Sequence, residues 1–64
     1  MKLDSKKVQL AWARSEMTTT QLASKYGCTQ QSMTALLNRT KVNPVTAGKL
    51  ARALGVDVTE ILED

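Results

Sequence analysis

An all-α fold of five helices is predicted by three features of the 64-residue sequence. Apolar residues recur at three- and four-residue spacing along most of the chain, the period of a helix with one buried face. A polar cap residue, with an apolar residue just before it and another at the fourth helical position, occurs five times, and each pair can staple a helix start. Strand signals are nearly absent.

The first helix is expected over residues 5–15, capped by Asp4 and stapled by Leu3 and Val8. The second, 19–26, starts behind Thr18, with Met17 and Leu22 as the staple. Thr18 and Gln21 there form a capping box, in which each side chain satisfies an orphan backbone N–H of the other. Gly27 stops this helix by taking the left-handed conformation. The third helix, 30–38, follows Thr29, with Cys28 and Met33 as its apolar pair. The fourth, 44–54, is capped by Asn43, stapled by Val42 and Ala47, and ended by Gly55. Pro44 falls at its first position, where a missing N–H costs nothing and a fixed φ suits the helix. The fifth, 58–63, has a second capping box in Asp57 and Glu60, with Val56 and Ile61 as staple.

Helical spacing marks one shared core of Val8, Ala11, Trp12, Leu22, Ala23, Tyr26, Met33, Leu36, Leu37, Ala47, Leu50, Ala51, Leu54, Val58, Ile61 and Leu62. Trp12 belongs to it and needs a partner for its indole N–H. Cys28 is expected as a buried, inert thiol. Gly48, inside the fourth helix, costs about 1 kcal/mol relative to Ala and points to close packing against a neighbour.

A chain of this length forms a single domain, 1–64, and buries only about 60% of the surface its unfolded form exposes, too little for a deep catalytic cavity. With no histidine and one cysteine, neither an intramolecular disulfide nor a Cys/His zinc site can be assembled. No phosphate-binding glycine loop and no nucleophile beside a base is present, so an enzyme is excluded, and no cofactor, metal or small-molecule ligand is expected. No apolar run approaches the roughly 20 residues of a membrane span. A soluble, cytoplasmic protein with reduced Cys28 fits these counts.

The formal charge of +3 matters less than its placement. Between Met17 and Val56 there is no Asp or Glu, whereas Lys25, Arg39, Lys41, Lys49 and Arg52 all lie in that interval. Asp57, Glu60, Glu63 and Asp64 gather in the tail, which leaves a basic middle suited to an anionic partner.

Only Gly27, Cys28 and Thr29 separate the second and third helices, so the chain turns sharply and the helices cross closely. Such a crossing demands small residues at set places. Counting Thr19 as the first of twenty, Ala23 is fifth, Gly27 ninth, and Met33 and Leu36 fifteenth and eighteenth, the pattern of a helix-turn-helix over 19–38. This stretch resembles the Cro/CI-type helix-turn-helix of lambdoid phage repressors and the wider family of bacterial regulators that share it. The segment Thr29-Gln30-Gln31-Ser32 is similar to the start of their recognition helix. Leu50-Ala51-Arg52-Ala53-Leu54-Gly55-Val56 resembles their fourth helix and the turn beyond.

The resemblance implies a compact five-helix, lambda-repressor-like domain that binds double-stranded DNA sequence-specifically. It further implies a small transcriptional regulator, expected to be a repressor, at the nucleoid of a bacterial or phage-infected cell. In the family the loop after the third helix runs along the phosphates, a role that carries over by position to Arg39, Lys41 and Asn43. The commoner pattern has Gly where Arg39 stands, which leaves the path of this loop open.

The residues lead to the same helix without the resemblance. With Met33, Leu36 and Leu37 buried, the third helix faces outward with Gln30, Gln31, Thr34, Ala35 and Asn38, a polar and uncharged surface. Gln can bond bidentately to adenine N6 and N7, which contributes about 1 to 3 kcal/mol of discrimination. Gln30 is expected to read one base pair and Gln31 the next, with Thr29, Thr34 and Ala35 against thymine methyls or sugar-phosphate. Thr18, Thr19 and Thr20 at one helix start, Asn43 at another, and Asn38, Arg39, Thr40 and Lys41 between are the expected phosphate contacts. Lys25 is equally readable as a phosphate contact or a solvated lysine.

Two other readings stay open. The helix-turn-helix could be the scaffold of a protein-interaction module whose apolar tail, Val56, Val58, Ile61 and Leu62, docks on a partner. An antitoxin would combine both activities. Many relatives bind as two-fold dimers on half-sites roughly 34 to 36 Å apart, and a homodimer here would use Val58, Ile61 and Leu62.

Overall fold

A computed structural model describes residues 1–63. Four α-helices, α1 (Ser5–Ser15), α2 (Thr19–Tyr26), α3 (Gln30–Leu37) and α4 (Pro44–Leu54), are followed by a 3₁₀ turn, Val58–Glu60. The caps form where local chemistry places them. Asp4 accepts from the N–H groups of Lys6 and Lys7, Thr29 from Ser32 and Asn43 from Thr46. Both capping boxes are complete, at Thr18 with Gln21 and at Asp57 with Glu60.

The helix expected over 58–63 is shorter than its pattern. After the Ile61 N–H bonds to the Val58 carbonyl, the next backbone groups turn to the N-terminal segment. Leu62 bridges Leu3, the Asp4 N–H donates to the Ile61 carbonyl at 2.9 Å, and the Glu63 N–H donates to that of Lys2 at 3.0 Å. These bonds to the N-terminal segment replace a further helical turn. Likewise α3 ends at Leu37, with Asn38 as its cap rather than its last helical residue.

The same N-terminal segment ties down the loop between α3 and α4. Lys2 bridges Lys41 in antiparallel fashion, the Leu3 N–H donates to Thr40 O at 2.6 Å, and the Val42 N–H donates to Met1 O at 2.9 Å. Residues 1–3 thus lie between the 40–42 loop and the 61–63 tail, joined to both.

Leu22, Met33, Leu50, Ile61 and Val8 are the largest fully buried side chains. Each such aliphatic burial stabilises the fold by about 1.5 to 3 kcal/mol. Leu3, Val42 and Ala53 are also buried, beyond the core that helical spacing marks. Trp12, Tyr26, Leu37, Val58, Leu62 and the free Cys28 are only partly buried around it. The Trp12 Nε1–H donates to the Met17 carbonyl at 2.8 Å, joining α1 to the residue before the α2 cap. Gly48 departs from expectation: a Cβ built there meets nothing within 4 Å, so no close neighbour requires it.

Candidate nucleic-acid interface

The helix-turn-helix is assembled by backbone geometry. Gly27 caps α2 at φ 96°, a conformation that a side chain would strain. The N–H groups of Gly27 and Cys28 both donate to the Ala23 carbonyl, at 2.8 and 2.9 Å. Two donors on one carbonyl close the turn. Thr29 restarts the helix by accepting from the Ser32 N–H at 3.1 Å, and its own hydroxyl donates to Ser32 Oγ at 3.0 Å. Met33 and Leu36, buried against the core, set the rotation of α3 about its axis.

That rotation leaves Gln30, Gln31, Thr34, Ala35 and Asn38 exposed together. At 3.6 residues per turn they span roughly 140° of the helix surface. Thr34 Oγ1 donates to the Gln30 carbonyl at 3.0 Å, and Asn38 Nδ2 donates to the Thr34 carbonyl at 2.9 Å. The Thr34 hydroxyl proton and one Asn38 amide proton are thus used, which leaves the Thr34 methyl, the second Asn38 Nδ2–H and Asn38 Oδ1 for outside contacts. The side-chain amides of Gln30 and Gln31 have no hydrogen-bond partner among the described residues. Each therefore offers two donors and an acceptor on an exposed face. Thr29 lies at the edge of this face, with its hydroxyl already used by the cap.

Around this face lie groups suited to phosphate oxygens. Thr18 Oγ1 accepts from the Gln21 N–H at 3.2 Å, while Gln21 Oε1 accepts from the Thr18 N–H at 2.9 Å. The N–H groups of Thr19 and Thr20, in the first turn of α2, lack helical acceptors by position. Asn43 Oδ1 accepts from the Thr46 N–H at 2.7 Å at the start of α4, leaving Nδ2 available. Arg39, Thr40 and Lys41 are exposed in the loop between.

The departure at Arg39 has a structural answer. Among the described residues, only Glu16 is a non-glycine residue with positive φ. Arg39 follows the helix end without a left-handed turn, its N–H donating to the Leu36 carbonyl at 3.0 Å. Glycine is unnecessary at that backbone conformation, and the N-terminal segment, not a glycine, shapes the loop.

Lys25 belongs to a grouping that linear reading did not assemble. It lines an open groove between α2 and α4 with Tyr26, Lys49, Arg52 and Ala53. The signal available was the spacing of Lys49 and Arg52, which places them on one side of the fourth helix. In the tail, Ile61 is fully buried and closes the core. Of the three residues expected to make a self-contact, only Val58 and Leu62 keep surface. Asp57 has a carboxyl pKa below its ordinary 3.8, because the backbone N–H and then the hydroxyl of Thr59 donate to the ionised form.

Among the described residues, no helix is long and apolar enough to cross a membrane. A family model described as a Cro/C1-type HTH DNA-binding domain matches residues 9–64. No curated protein and no solved structure matches the chain.

Proposed function

Since the chain belongs to the Cro/C1-type helix-turn-helix DNA-binding family, we propose that it is a transcriptional repressor that reads operator DNA with the exposed face of α3 in the major groove. The observation that carries this reading is the pair of unpartnered amides on Gln30 and Gln31. Side chains held on a rigid, core-anchored helix, with donors and acceptor unspent, are suited to bidentate bonds with adenine edges. Thr34 and Ala35 supply apolar contacts for thymine methyls. The face carries no Arg or Lys, so guanine is not read by its commonest partner.

Phosphate contacts from Thr18, Thr19 and Thr20 on one side, and from Asn38, Arg39, Thr40, Lys41 and Asn43 on the other, orient the helix without reading sequence. The Arg39–Lys41 loop gains the required rigidity from residues 1–3. A two-fold dimer joined near Val58 and Leu62 would present two copies of α3 to successive major grooves. Burial of Ile61 and the Leu3–Leu62 bridge leave less apolar tail for a protein partner, which favours DNA over the docking reading.

The test is binding of the full chain to duplex selected from a random pool, titrated against salt beside an unselected duplex. Tighter binding to the selected duplex is expected, with affinity falling steeply as salt rises on both. Equal affinity for the two, or no response to salt, would refute the proposal.

A further inference from the structure

Lys25, Lys49 and Arg52 converge on one open groove of ≈ 450 Å³ between the last turn of α2 and the second half of α4, floored by Tyr26 and Ala53. None of the three is paired with a carboxylate among the described residues. Lys49 Nζ sits 4.7 Å from the centroid of the Tyr26 ring, so its position is set by the ring face rather than by an acid. Lys49 and Arg52 stand one helical turn apart, a like-charge spacing that destabilises a helix. Three cations gathered without a counter-charge form a site whose cost an anion offsets.

We infer that this groove is a second phosphodiester contact, which grips the DNA backbone beside the leading end of α3. Its position supports that occupant. Lys25 and Tyr26 immediately precede the Gly27 turn, and Thr29 and Gln30 follow that turn. A duplex placed against the start of α3 therefore brings a backbone toward the groove. Arg52 offers a planar fork suited to two phosphate oxygens, and the two lysines add point charges. An acidic segment of a second copy fits less well, because two of the tail acids, Asp57 and Glu60, are engaged at home. Asp57 accepts from Thr59, and Glu60 accepts from the Asp57 N–H and from Arg14.

The inference rests on the DNA-binding reading above, and one comparison separates the two. The salt dependence of duplex binding is measured for the wild-type chain, for Lys49→Gln with Arg52→Gln, and for Lys6→Gln with Gln9→Glu. Both variants lower the net charge equally, the second on exposed positions of α1. Loss of two phosphate contacts should reduce the slope of log K against log salt by about 1.8, from ~0.9 per neutralised phosphate. The ratio of selected to random duplex affinity should be unchanged, and the α1 variant should keep the wild-type slope. If the two variants change the slope equally, or neither does, while wild type still binds DNA, the groove contact is wrong and the DNA reading stands. If the groove variant keeps the wild-type slope but loses binding to poly-glutamate that wild type shows, the occupant is an acidic protein segment and the inference is overturned.

Discussion

Gly48 lies on the exposed side of α4, where an added Cβ touches nothing within 4 Å and φ lies outside the left-handed range. The residue lowers helix stability without steric need, so Gly48→Ala should raise the free energy of unfolding by about 0.5 to 1 kcal/mol. Urea denaturation measures this, and destabilisation would mean that the backbone there carries a requirement the contacts do not reveal. Trp12 makes the opposite case. Its Nε1–H is joined to Met17 O at 2.8 Å, and Trp12→Phe should cost about 1 kcal/mol or more, from the lost hydrogen bond and reduced packing. Asp57 gives a pH dependence. Its folded pKa lies below the ordinary 3.8, so its stabilising contribution is present above that value and lost as pH falls through the folded pKa. Thermal unfolding followed from about pH 6 to about pH 3 should show a smaller decline for Asp57→Asn than for wild type. Parallel declines would show that the Thr59 bonds leave stability unaffected.

At the scale of elements, α3 depends on a cap outside its own length. Thr29 holds the Ser32 N–H, and Thr29→Ala should cost about 1 kcal/mol of stability. Because that cap also sets the end of α3 that carries Gln30, sequence preference on DNA should weaken beyond what a uniform loss of folded protein explains. An unchanged ratio of specific to non-specific affinity would limit Thr29 to a structural role. The four helix starts were legible because capping is local. A cap side chain, the backbone N–H that donates to it and the stapling pair all lie within six residues of each other. The outward face of α3 was legible for a similar reason, since 3.6-residue spacing divides buried from exposed positions. The fifth element was less so. Its cap and turn are local, but its end is set by pairing with residues 2–4, on the far end of the chain. A stretch of three residues has no periodicity to announce that pairing, and Leu3 reads only as a staple although it is 2% exposed.

At the scale of the whole molecule, the two chain ends and the 40–42 loop form one joined unit beside the helix-turn-helix. This arrangement shapes the loop that follows Arg39 without a left-handed turn, and it links loop shape to a distant residue. The basic groove was hidden for the same reason. Lys25 and Lys49 stand far apart in sequence, and only the approach of α2 to α4 brings them together. Charge placement along the chain gave the sign of the expected partner, while packing brings Lys25, Lys49 and Arg52 to one groove. On the proposed reading, base readout by the uncharged α3 face and phosphate contact by the cationic loop and groove are separable properties.

That separation is tested most directly by comparing Gln30→Ala with Gln31→Ala against Arg39→Gln with Lys41→Gln, each measured on a selected and a random duplex at several salt concentrations. The glutamine variant should lose most of the selected duplex's advantage, about 1 to 3 kcal/mol for each bidentate pair removed, and keep the wild-type salt slope. The loop variant should keep the advantage and lose slope, by about 0.9 for each phosphate released. A glutamine variant that still prefers the selected duplex as wild type does would contradict readout by α3.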